Sequence, residues 1–166
     1  YMAFDKEGTL LVPFRTWRNT ITGEASEELT ALFHYHIPQR FSIAHLYQAM
    51  LKKEPHLTKI DSLLTLAGYI NWQMTGEKVI GIGEASGMFP IDIQTKDYNQ
   101  NMINQFEEKA ASMGYNFHLR ELLPKTALAG EIAGYLTEEG ARKLDVSGSL
   151  KAGVPIAPAE GDAGTG

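Results

Sequence analysis

A carboxylate set between glycines just beyond an apolar run is well placed to meet a ligand. Gly161-Asp162-Ala163-Gly164 stands in that position after Val154-Pro155-Ile156-Ala157. In open α/β sheets ligands bind outside the carboxyl ends of strands, and glycines let backbone come close to a substrate. An aspartate there could take a proton as a general base; an Asp that only shapes a turn fits the local sequence equally well. The second group is Phe14-Arg15-Thr16-Trp17-Arg18-Asn19-Thr20. An indole beside Arg, Asn and Thr offers a flat apolar face next to hydrogen-bonding groups. A sugar requires this combination, because its C–H face stacks while its hydroxyls take polar partners. The alternative is a Trp buried in a strand.

Other patterns point to less chemistry. Gly81-Ile82-Gly83-Glu84-Ala85-Ser86-Gly87 follows Val79-Ile80 and resembles part of a dinucleotide loop, but Ser86 occupies the place of the third glycine and no helix is expected to start there. A glycine-rich connector is the preferred reading. His34 and His36 precede Pro38 at a frayed helix end, with no third ligand at metal-binding spacing, so they are read as surface or capping residues. No metal ligand is assigned. Glu107-Glu108-Lys109 reads as a solvated helix face, and Trp72 as part of an apolar helical face.

The elements that must carry these residues are read from period and punctuation. Tyr1–Asp5 and Thr9–Val12 flank Lys6-Glu7-Gly8 as a hairpin, and Phe14–Thr20 is expected to be extended. Helices are expected from Glu24, with Ser26 as a cap and Leu29, Leu32 and Phe33 on one face, over Ser42–Lys53, and from Asp61 to Met74. Ala85–Ile93 reads as extended, Asn99–Met113 as a long amphipathic helix, Glu138–Leu144 as a small helix, and Val154–Ala157 as a strand. Strands and helices mixed without strict alternation predict an α/β domain with a helical insertion.

Composition limits the classes of function. With 166 residues, 43% of them hydrophobic, the chain has enough apolar surface for one substantial core. A net charge of −5 lacks the basic footprint for nucleic acid or for an anionic membrane. There is no cysteine, which removes disulfides and is compatible with a cytoplasmic protein. No apolar run reaches the ~18 residues of a membrane span. The chain opens on Tyr1 as a strand and closes on a strand-to-loop junction, so an excerpt of a longer protein is expected.

Several stretches follow one another along the chain as an ordered set. They are Phe4-Asp5-Lys6-Glu7-Gly8 leading to Trp17-Arg18-Asn19-Thr20; Leu66 to Gly76-Glu77, with Tyr69-Ile70 and then Met74-Thr75-Gly76; and Ala85-Ser86 followed by Ile91-Asp92-Ile93 and Tyr98. After these come Leu123-Pro124, Gly130-Glu131, Gly134 and Leu136-Thr137, and finally Gly153-Val154-Pro155-Ile156 with Gly161-Asp162. Spread over essentially the whole chain, the set resembles the N-terminal domain of the FGGY family of carbohydrate kinases, of the xylulokinase and glycerol kinase kind. Met74 stands where the family has leucine.

The resemblance implies a partial actin/hexokinase/RNase H-like α/β fold, in which two domains close over ATP and a sugar. It assigns the catalytic base to Asp162 and the sugar-contacting aromatic to Trp17, with Arg18, Asn19 and Arg40 as further substrate contacts. Gly161, Gly164 and Thr165 would meet the nucleotide. The phosphate loop and the adenine-binding domain would lie outside residues 1–166, as would the segments holding Mg²⁺, so the excerpt alone is expected to be inactive. Many members carry an acidic residue and an arginine shortly after the tryptophan. Arg18-Asn19-Thr20 departs from that pattern and leaves the sugar open. The implied partners are a small sugar or polyol, with neither nucleic acid nor membrane, and a homodimer is compatible. The two rival readings are a sugar-binding module without catalysis and an actin-like ATPase without a sugar.

Overall fold

The protein is described here by a computed structural model covering residues 1–161. Along the chain, β1 is Met2–Phe4, α1 Gly23–Phe33, α2 Ser42–Leu51, β2 Ser62–Leu64, α3 Leu66–Thr75, β3 Val79–Gly81 and α4 Ile82–Ser86. Then come β4 Ile91–Asp92, β5 Asp97–Tyr98, α5 Gln100–Ser112, α6 Leu119–Leu122, β6 Lys125–Ala127, β7 Gly134–Tyr135, α7 Glu138–Leu144 and β8 Pro155–Ile156. They gather into two compact units. One is Tyr1–Leu63 with Ser86–Leu123; the other is Leu64–Ala85 with the chain from Pro124 onward.

In the first unit β1 pairs with β2 and turns back on itself. The expected hairpin is present but short: Phe4 bridges Leu10 antiparallel, and the Asp5 carboxylate accepts the Thr9 N–H at 2.7 Å. The helix α2 is buried at every position from Ser42 to Met50, as befits a segment apolar nearly all round. The helix α5 is amphipathic, with Ile103, Phe106 and Ala110 buried. Its start matches the sequence reading, because Asn99 caps it by accepting the Met102 N–H at 3.1 Å.

Four local expectations change. Phe14–Thr20 is not a strand: Trp17-Arg18 form a turn, closed by the Asn19 N–H donating to the Thr16 carbonyl at 3.0 Å. Ser26 lies inside α1 rather than capping it, and its hydroxyl donates to the Ile37 carbonyl. The span from Asp61 divides into β2, buried throughout, and α3, whose start is set by Thr65 accepting the Gly68 N–H at 3.2 Å. A short apolar run cannot be told from helix by period alone. Ala85–Ile93 is extended only at β4, because α4 begins inside the glycine stretch.

In the second unit β3 and β6 pair parallel, with Val79 opposite Lys125 and Gly81 opposite Ala127, and β7 and β8 pair antiparallel, with Gly134 opposite Ile156. The end of α3 is closed by a compact network. Gly76 takes the left-handed conformation at φ 78°. The Thr75 hydroxyl donates to the Asn71 carbonyl at 2.8 Å and accepts the Glu77 N–H at 3.0 Å. Met74's carbonyl, left open at the helix end, accepts from both the N–H and the hydroxyl of Thr137, at 3.0 and 3.1 Å. Thr137 in turn caps α7, accepting the Gly140 N–H at 3.0 Å. The two threonines of the Thr75-Gly76 and Leu136-Thr137 stretches are therefore parts of one joint.

Candidate functional site

The Trp17 group belongs to the first unit. Its base is anchored twice: Tyr1 and Arg15 exchange backbone hydrogen bonds of 2.9 and 3.0 Å, and the Arg15 guanidinium meets the Glu54 carboxylate at 2.5 Å. Beyond this anchor the turn pushes Trp17 outward to 70% exposure, with Phe14 at 63%. Trp17 is therefore not a core residue. The Arg18 guanidinium lies 5.0 Å from the indole centroid, so cation and ring form one surface. Asn19 is spent in part on shape, its side-chain oxygen accepting the Ile21 N–H at 3.0 Å. Arg40 is exposed, 5.9 Å from the Phe41 ring. The segment just before it is tied to the end of the Trp17 loop, since the Thr22 hydroxyl donates to the Gln39 carbonyl at 2.7 Å.

Beneath this loop lies a polar cluster that the sequence reading did not single out. The Tyr1 hydroxyl and His56 Nε2 are 2.8 Å apart, and the His45 ring stands 5.7 Å from the Tyr1 ring. His45 is fully buried, and neither of its ring nitrogens has a hydrogen-bond partner among the described residues. Burial, reinforced by Arg15, lowers its pKa to about 4. Burial also lowers His56, against the opposing pull of Glu54, and raises Tyr1. His34 and His36 are exposed, His34 ending α1 in the left-handed conformation. Among the described residues no three His, Asp or Glu side chains gather to hold a metal ion.

The second unit delivers the chain toward Asp162. Residues 153–156 run beside β7: the Gly153 N–H donates to the Leu136 carbonyl and the Leu136 N–H to the Val154 carbonyl, both at 2.8 Å. The Gly81 N–H then takes the Ala159 carbonyl at 2.8 Å. The next residue, Glu160, reaches into the glycine stretch, where its Oε1 accepts the Gly83 N–H at 3.1 Å and its Oε2 the Glu84 N–H at 2.5 Å. Gly161 packs close to Glu84: a Cβ there would lie 2.6 Å from Glu84 Oε2. Asp162, Gly164 and Thr165 lie outside the described residues.

The glycine stretch is thus more than a plain connector: it seats a carboxylate of the chain itself and, against expectation, opens helix α4. Sequence reasoning missed Glu160. Two glycines around Ile82 signal that something approaches closely, but the occupant is 77 positions away. A surface cleft of about 270 Å³, lined in part by Glu28, Tyr47 and Lys109, contains none of the expected site residues.

Comparison with known proteins bears on the whole chain. Residues 1–166 match the profile of the FGGY family of carbohydrate kinases, N-terminal domain. An L-fuculokinase of Escherichia coli K12 is 28% identical over 95% of this chain and 32% of its own length. A xyloylose kinase from Brucella ovis superposes with a TM-score of 0.76 at 20% identity, over 98% of this chain and 32% of that one. A xylulose kinase from Rhodospirillum rubrum gives 0.75 at 20% identity, over 98% of this chain and 33% of that one. The chain therefore spans about a third of the length of these relatives. It has the actin/hexokinase-like fold of sugar kinases, in part.

Proposed function

Because this chain belongs to the FGGY family of carbohydrate kinases, whose N-terminal domain it matches throughout, we propose that it supplies part of the sugar site and the general base of an ATP-dependent sugar or polyol kinase. The observation that carries this reading is the open indole of Trp17 with Arg18 against it, in a chain of that family. The indole takes the sugar's C–H face, and Arg18, Asn19 and Arg40 offer donors to its hydroxyls. Asp162 accepts the proton of the attacking hydroxyl as that oxygen bonds to the γ-phosphorus of ATP, and the bond to the β-phosphate oxygen breaks with release of ADP. Gly161, Gly164 and Thr165 approach the nucleotide. Mg²⁺ would accompany ATP and offset charge on its phosphates. The described residues provide no cluster for it, so no step here is assigned to a metal held by them.

Fuculose and xylulose, the sugars of the relatives' names, are the first substrates to test. Full-length protein should release ADP only when a sugar is present. Asp162→Asn keeps size and hydrogen bonding but cannot take the proton, so kcat should fall ~10²-fold or more with sugar affinity held within a few-fold. If Asp162 only shapes a turn, Asn serves nearly as well and kcat stays near wild type, which would overturn the assignment. Sugar-independent ADP release would indicate an ATPase, and sugar binding without turnover a binding module.

A further inference from the structure

Glu160, two positions before Asp162 in the sequence, reaches into the glycine stretch. Two consecutive residues are held against Gly81–Glu84, Ala159 by its carbonyl and Glu160 by both carboxylate oxygens, and Gly161 after them lies close to the Glu84 carboxylate. Gly81 and Gly83 admit the side chain. A Cβ on Gly81 would lie 2.0 Å from Glu160 Oε1 and 2.2 Å from its Cδ, and one on Gly83 would lie 2.8 Å from Oε2. Neither glycine has a positive φ, so their backbone conformation would accept alanine. At Gly81, the three atoms nearest to such a side chain all belong to Glu160. Both parts lie in the same unit.

A carboxylate bonded to two backbone N–H groups forms strong, charge-assisted contacts and removes freedom from the chain on either side. A general base must come within ~2.6–3.2 Å of the proton it takes, and a misplacement of ~1 Å can cost ~10²-fold in rate. We propose that Glu160 is a positioning residue of the kinase: seated on the Gly83 and Glu84 N–H groups, it fixes the course of the chain entering Asp162. This rests on the reading of Asp162 as base. Glu160 itself touches neither sugar nor nucleotide in this account.

The test is a double-mutant cycle in the full-length protein. Glu160→Ala removes the carboxylate; Gly81→Ala expels it while leaving it in the sequence. Each should lower kcat ~10-fold or more and move the KM of sugar and of ATP by less than a few-fold. Because both break one contact, the double variant should be no slower than the slower single variant. Glu160→Gln keeps one acceptor oxygen and should recover part of the rate, and it serves as the second variant if Glu160→Ala does not fold. Additive losses would overturn the proposal. So would wild-type kcat in folded Glu160→Ala, or a lowered unfolding temperature with unchanged kcat per folded molecule. The two readings fail separately: if Asp162→Asn is slow while Glu160→Ala and Gly81→Ala are not, only the positioning role falls. If Asp162→Asn turns over normally while the coupled losses at 81 and 160 persist, the base assignment falls and Glu160 positions some other group.

Discussion

Scattered apolar side chains on a protein surface need no special account, but Phe14, Trp17 and Ile21 stand 63%, 70% and 50% exposed within eight consecutive positions of one loop. An anchored loop that keeps an indole open is a candidate interaction surface. Arg15 and Glu54 hold the loop from below, so Trp17 should be removable without unfolding anything. Trp17→Ala should leave the urea midpoint nearly unchanged and raise the sugar KM by the equivalent of ~1–3 kcal/mol, the range for one pocket-filling contact. The KM of ATP should stay at its wild-type value. Steady-state kinetics with each substrate varied in turn decides the matter: an unchanged sugar KM would place the pocket elsewhere. In the sequence, Trp17, Arg18 and Asn19 are neighbours of the types a sugar surface uses, but the turn that leaves the indole open was not foreseen, since Phe14–Thr20 reads as extended. Glu160 was not legible, since its meaning depends on two glycines at the far end of a fold that brings distant segments together. His45 was equally opaque: nothing in Ile43-Ala44-His45-Leu46 tells that its ring will be buried with neither nitrogen bonded.

At the scale of elements, chain punctuation was informative where caps are local. Asn99 before α5 and Thr137 before α7 each accept the N–H three residues on, and both helices fall where their period puts them. Failures came where local sequence left two outcomes: the short apolar Ser62–Leu64 is strand, paired with the distant β1, and Ile82–Ser86, read as a glycine-rich connector running into an extended piece, is helix. The joint between α3 and α7 explains why Gly140 is glycine. A Cβ there would lie 2.3 Å from the Met74 carbonyl oxygen and 2.9 Å from the Met74 carbonyl carbon, all of it backbone. Backbone cannot rotate away as Glu160 can from Gly81. Gly140→Ala gains helix propensity in α7 but must push the two helices apart, stretching the contacts of Thr137 with Met74. The net effect should be a loss of ~1–3 kcal/mol, read as a lower urea midpoint with an unchanged slope. A variant as stable as wild type would show that the joint yields freely.

For the molecule as a whole, the balance of buried titratable groups sets how stability responds to pH. His45 is depressed from 6.5 to about 4, mainly by burial, with the positive charge of Arg15 acting in the same direction. Between those values the unfolded chain binds a proton at His45 that the native state refuses. The unfolded state therefore holds more protons, and stability must rise with pH across that window. It is fully gained above 6.5 and lost as pH falls toward 4. His56, lowered by burial against the pull of Glu54, adds a slope of the same sign. At the alkaline end burial raises Tyr1, Tyr47 and Tyr98, the second helped by its hydrogen bond to Glu28. There the native state retains protons that the unfolded chain gives up above pH 10, so stability falls again. His45→Leu isolates the acid limb. Carboxylates also titrate as pH falls, but they do so in both proteins and cancel in the difference. Urea midpoints measured across the window should therefore show wild type losing more stability than His45→Leu as pH drops from 6.5 to 4. Any constant offset from repacking leaves that slope untouched. Parallel curves would mean that His45 takes up its proton in the folded protein as readily as in the unfolded chain, and that burial without a hydrogen-bond partner is not what this ring experiences in solution.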